Sequence, residues 1–138
     1  MKLSIITPER TLIDQEEVTS ITLPTMSGEI TVLPGHAPII TVLQPGELVV
    51  GSDKETRPMA VSGGFVEITK KSVRILADSA ERVEELDIKR AEEAKKRAEE
   101  LLKNRDATDV EFAQIAAKLE KELARLKVGR KYKDVGRQ

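Results

Sequence analysis

The hydrophobic period of this chain changes at residue 86. Up to about residue 80, apolar residues come in brief β-like runs: LSII, VTSITL, EITVL, ELVV, PMAV, FVEI and VRILA. Turn residues separate them, among them Pro34-Gly35, Pro45-Gly46 and Gly63-Gly64. Short strands recurring at this spacing predict an all-β sandwich or barrel. From Leu86 onward the repeat is helical. Ala91, Ala94, Ala98 and Leu101 follow steps of three and four along one face. One chain cannot satisfy both periods in one layer, so two units are expected: a β-sandwich over 1–84 and a helical pair over 85–138. The fold class is α+β.

Local chemistry supports those boundaries. Asp87 suits a helix N-cap, where its carboxylate accepts an orphan backbone N–H. Glu92–Lys96, Glu93–Arg97 and Glu99–Lys103 stand at i,i+4 and predict weak pairs along the first helix. Asn104-Arg105-Asp106-Ala107 interrupts the repeat. Thr108 followed by Glu111 predicts a capping box opening a second helix. Its expected buried stripe is Phe112, Ala116, Leu119, Leu123 and Leu126, with Gly129 as its stop. A short link between two helices predicts an antiparallel hairpin. An alanine seam buries little apolar area, so the hairpin must lean on the β-domain, a partner or a ligand. In VTSITL, Val18, Ile21 and Leu23 do not share one parity, which predicts a bulge or a two-sided strand there.

Charge patterning argues against bulk nucleic-acid binding. Charged residues make up 34% of the 138, yet the net charge is −1. Residues 1–80 hold seven basic and ten acidic side chains, and residues 81–138 hold sixteen and fourteen. A nucleic-acid binder would present an unbroken basic face. No apolar run approaches the roughly 20 residues of a membrane helix, and MKLSIITPER turns polar too soon for a signal peptide. A soluble chain that meets a membrane only through partners is expected.

Catalytic constellations are missing from the pattern. With no cysteine and only one histidine, His36, thiolate chemistry and a histidine-rich metal centre are both excluded. VLPGHAP holds His36 between Pro34 and Pro38, whose fixed φ stiffens the loop. A loop histidine bonded to backbone or seated on a partner is the reading. Gly63-Gly64 lacks the Lys-Ser/Thr of a phosphate loop and predicts a turn with positive φ. Adjacent acids such as Glu84-Glu85 point about 100° apart on a helix and make no acid–base pair. Arg90 and Arg97 lie near one face of the first helix, and Lys121 and Arg125 are four apart on the second. Folded together, these four can converge on a triphosphate, or they can line a solvated face.

Several of these stretches together resemble the epsilon subunit of bacterial F-type ATP synthase. They are ITPERTL, LPTMSGEITVLPGHAPIITVLQPGEL, AVSGGFVEI, VRILADSAE and the helical LDIKRAEEAKKRAEE. The resemblance implies a β-domain bound to the gamma subunit and the c-ring within the rotor stalk. It also implies two helices that either fold on the β-domain or extend toward the alpha/beta catalytic hexamer and inhibit ATP hydrolysis. The subunit would not be catalytic, and it would sit peripherally at the cytoplasmic face of the bacterial plasma membrane. By the same resemblance Glu29 touches the c-ring and His36 lies at the rotor interface. Some members bind regulatory ATP through Ile/Leu-Asp-x-x-Arg-Ala, matched here by Leu86, Asp87, Arg90 and Ala91, with Glu81, Arg97 and Arg125 at accompanying positions. Lys121 stands where arginine is commoner and lacks its bidentate fork. The basic run from Lys127 to Lys133 either meets acidic partner surfaces or is a frayed end. A stand-alone ATP-sensing module and a coiled-coil adaptor are the other readings.

Overall fold

The computed structural model describes residues 1–103 and 108–133. The expected break at Asn104 to Ala107 and the last residues of the chain lie outside the described residues. Ten strands come first: β1 (Lys2–Ile6), β2 (Thr11–Glu17), β3 (Ser20–Thr25), β4 (Gly28–Val32), β5 (Ile39–Leu43), β6 (Gly46–Gly51), β7 (Thr56–Val61), β8 (Gly64–Ile68), β9 (Ser72–Ala77) and β10 (Ala80–Arg82). A 3₁₀ turn over Val83–Glu85 leads into helices α1 (Ile88–Leu102) and α2 (Asp109–Lys133).

The strands pair in the order β10-β7-β6-β3-β5-β8-β9-β1-β2, with β4 also on β3. All pairings are antiparallel except β1 with β9. The sheet closes over Leu3, Ile5, Ile21, Leu23, Leu48, Met59, Ile68 and Ile75, each essentially without solvent contact. On β1, β3, β8 and β9 the buried positions alternate with more open ones, as a half-buried strand requires, while Met59, Ala60 and Val61 of β7 are buried in succession. β3 is regular, with Ile21, Leu23 and Thr25 all inward. Val18 lies before the strand begins, so the mixed parity of VTSITL is a strand boundary. The irregular register falls instead between β1 and β2, where Gln15 adopts φ of 48°.

Gly63 and Gly64 have φ of 120° and 136°. At Gly64 a Cβ would stand 2.0 Å from the Leu76 carbonyl oxygen. Only glycine lets β8 lie this close to β9.

Both helix starts follow the sequence. The Asp87 carboxylate accepts the Arg90 N–H at 3.1 Å. Thr108 and Glu111 form the reciprocal box, at 3.2 Å and 3.1 Å. Three other expectations are corrected. The buried face of α2 is Glu122, Ala124, Leu126, Val128 and Gly129, while Phe112 and Leu123 are exposed. The late turns of α2 are covered by α1 on one side and by β6 and β7 on another, so the buried face is wider than one stripe, and the first turns are open. Gly129 does not end the helix: α2 runs on to Lys133, and a Cβ at Gly129 would meet Ile88 Cγ1 at 3.0 Å. This glycine permits helix contact. The three expected i,i+4 pairs of α1 do not form among the described residues; Lys95 pairs with Glu99, and Glu92 reaches across to Arg130 at 3.0 Å.

Candidate functional site

The arm meets the β-domain through α2. A small cluster of Ala60, Leu86 and Val128, flanked by Val83 and Tyr132, is separate from the main core. Within the Leu-Asp-x-x-Arg-Ala stretch, Leu86 is buried in that cluster, Asp87 caps α1, and Ala91 is buried. Arg90 differs: its side chain is exposed and has no protein partner among the described residues.

The structure separates the remaining cations. Arg125 is engaged, with Nε 2.9 Å from Glu81 Oε1 and Nη1 2.9 Å from Glu122 Oε2. Glu122 is only 4% exposed, so this guanidinium offsets a carboxylate that water barely reaches. Arg97 is exposed and lines a cleft of about 260 Å³ with Ala94, Ala98, Leu101, Ile115 and Lys118. Lys121 is half-buried and, like Arg97, has no ion pair among the described residues. Arg90, Arg97, Lys118 and Lys121 thus carry no ion pair among the described residues, whereas Arg125 already meets two carboxylates. Lys118 and Glu122 are additions to the sequence reading. Their helical positions carried no signal, because a charged residue on α2 reads alike whether it faces water or a neighbour.

His36 is half-buried, with Nδ1 2.7 Å from the Ala37 carbonyl oxygen. That contact makes Nδ1 the protonated nitrogen. The His36 N–H donates to Leu33 O at 3.1 Å and closes the LPGH turn. Glu29 is exposed near the start of β4. Close by in sequence, Met26 and Leu33 are exposed apolar residues.

The outward face of β5, β8, β9 and β1 holds a feature the alternation did not reveal. Val42 pairs with Phe65, Phe65 with Leu76, and Leu76 with Ile6. Phe65 is 59% exposed, and Ile40 on the same face is 74% exposed. With Leu76 47% exposed and Val42 and Ile6 half-buried, the row is an apolar strip partly open to water, of the kind that marks a contact surface.

Family comparison agrees with this division of the molecule. Residues 1–83 match the model of the β-sandwich domain of the ATP synthase delta/epsilon chain, and residues 84–129 match that of its long α-helix domain. The chain belongs to the ATP synthase delta/epsilon family. An ATP synthase epsilon chain from Dehalococcoides mccartyi is 45% identical over 131 residues, covering 95% of this chain and 93% of the relative. Among solved structures of the family's complexes, a chain of the Euglena gracilis mitochondrial ATP synthase OSCP/F1/c-ring assembly superposes with a TM-score of 0.73 at 28% identity. That match covers 87% of this chain and 75% of the other. A chain of the Tetrahymena thermophila mitochondrial ATP synthase central stalk and c-ring shares the fold, with a TM-score of 0.64 at 16% identity, covering 94% and 96%.

Proposed function

We propose that this chain is an epsilon-type rotor subunit of an F-type ATP synthase, non-catalytic itself, that links the gamma subunit to the c-ring. The apolar row of Val42, Phe65, Leu76 and Ile6 carries this reading. It lies on the outer face of a sandwich whose core is already closed, so its burial serves a partner and not the fold. Gamma is the partner for which family membership argues. Glu29 and His36, on the segment with Met26 and Leu33, then face the c-ring. No described helix is long and apolar enough to cross a membrane, which fits peripheral attachment through partners at the cytoplasmic face.

The helical arm is the regulatory part of this proposal. Folded, it rests on the β-domain; extended, it reaches the alpha/beta hexamer and restrains hydrolysis. ATP held by Arg90 and Arg97 favours the folded form. A ligand stabilises the state it binds by RT ln(1 + [L]/Kd), about 0.8 kcal/mol at roughly three times Kd. That matters only if the two forms are nearly balanced, and the alanines at Ala91 and Ala98 keep the helix seam thin.

Three experiments test these two parts. Co-expression with gamma should give co-elution that Phe65→Glu abolishes; co-elution of the variant at the wild-type level would overturn the docking face. In reconstituted complexes, removing residues 85–138 should raise hydrolysis, and calorimetric ATP heats should fall in Arg90→Ala. Unchanged hydrolysis would refute the inhibitory arm, and equal heats would refute the nucleotide site.

A further inference from the structure

Three residues make a row across the last strands of the sheet. Glu47 on β6 is in register with Ala60 on β7, and Ala60 with Glu81 on β10. The row thus reads acid, alanine, acid, on one face. Helix α2 lies along it. Arg125 reaches Glu81, with Nη2 to Oε2 at 3.2 Å. Val128 packs into the cluster that contains Ala60. Tyr132 donates its hydroxyl to Glu47 Oε1, and Lys131 Nζ stands 3.0 Å from Glu47 Oε2.

The match is geometric as well as chemical. Arg125, Val128 and Tyr132 follow steps of three and four, so they share one helix face. Seven residues advance a helix by about 10.5 Å, while two strand-to-strand steps span about 9.6 Å. The helix therefore crosses three strands in the distance that separates its own anchoring side chains. Alanine at the centre lets the backbone approach, and the carboxylates at each end meet a cation or a hydroxyl. Glu47, with a side chain only 15% exposed, is largely covered by this contact. Sliding α2 by one turn would put Val128 opposite a carboxylate and break the Arg125–Glu81 and Tyr132–Glu47 contacts.

We propose that the Glu47–Ala60–Glu81 row is the seat that holds the helical arm on the β-domain and sets its register. Opening of the arm is the breaking of this seat. Its Glu47 end includes an ion pair to Lys131, whose side chain is 57% exposed, so salt loosens that end. The seat belongs to the chain alone, and it stands whether or not the arm regulates hydrolysis or binds ATP.

The test uses the full-length chain. It has no cysteine, so Lys54→Cys in the β6–β7 turn and Glu100→Cys on α1 give a unique pair of spin labels. Wild type should show one narrow distance distribution. Glu47→Lys and Lys131→Glu should each broaden it toward longer distances, and the two together should restore it. Glu47→Gln, the mildest change, should speed amide exchange over residues 124–130 by about tenfold and leave the β-core exchange unaltered. Narrow distributions in both reversals, or failure of the double reversal to restore one, would overturn the seat, as would unaltered exchange in Glu47→Gln.

Discussion

Arg10 and Glu85 grip each other as a two-pronged pair, Nη1 to Oε1 at 2.8 Å and Nη2 to Oε2 at 2.6 Å. Arg10 comes from the β1–β2 turn, and Glu85 is the last residue of the 3₁₀ turn before the arm. Glu85 also accepts the Arg82 N–H at 3.0 Å, and Arg10 donates to Ala80 O. The chain is thereby pinned to the β-domain at the arm's root. Leu86 and Asp87, which follow, are where a moving arm would turn.

This pair predicts an acid-sensitive hinge. Hydrogen bonds from Arg10, above all, hold the Glu85 carboxyl down from its ordinary 4.5 to about 2, against a smaller upward push from burial. A depressed carboxyl stabilises the fold fully above its unfolded value, and the stabilisation is lost as pH falls toward about 2. The pair is partly exposed, so its worth is screened to about 1 kcal/mol or less. Urea midpoints of wild type and Glu85→Gln should differ at pH 6 and converge as pH falls from 4.5 to 2. A constant gap across that range would contradict the assignment.

Arg125→Met should weaken the arm more than Arg90→Met does. Glu122 is buried and loses its guanidinium partner in the first variant, whereas the Arg90 side chain has no hydrogen bond or ion pair among the described residues. Removing one member of a buried pair costs about 3–5 kcal/mol, and the partial exposure of Arg125 and Glu81 reduces this to roughly 2 kcal/mol. Thermal unfolding read by far-UV dichroism at the helix minimum would show the difference; equal shifts would not fit the structure.

Gly129→Leu should loosen α1 from α2. Leucine gains helix propensity of about 1 kcal/mol over glycine, but here it collides with Ile88, since even a Cβ stands at 3.0 Å. Overpacking of this kind costs about 1–3 kcal/mol. Faster amide exchange at Ala91 and Ala98 is the expected reading, and unchanged protection would count against it.

Gly64→Ala should damage the sandwich itself. The Cβ would overlap the Leu76 carbonyl, at 2.0 Å, in a backbone with φ of 136°. A loss of at least about 3 kcal/mol is expected, through both strain and displacement of β8 from β9. Chemical denaturation measures it directly.

Much of this molecule was legible before any coordinates. The change of period at Leu86 separated the two units, because strands and helices impose different spacings on apolar residues. Asp87 and Thr108 announced their helix starts, since capping is local chemistry within four residues. Gly63-Gly64 announced its positive φ for a similar reason, although the link it makes between β7 and β8 is not a turn. The site residues were less legible. Arg90, Arg97, Lys121 and Arg125 look alike as charges on helices, yet Arg125 is locked between Glu81 and Glu122 while Arg97 borders an open cleft with Lys118. Phe65 and Leu76 resemble core residues in composition, and only the sheet shows them turned outward.

What the sequence determined by itself was therefore whatever depends on near neighbours: strands, caps, turns and the two-part division. What tertiary structure alone decided was partnership. Glu47 meets Tyr132 across 85 positions, and Glu81 meets Arg125 across 44. Such contacts depend on how α2 is laid over three strands, a relation between surfaces that no periodicity along one chain encodes.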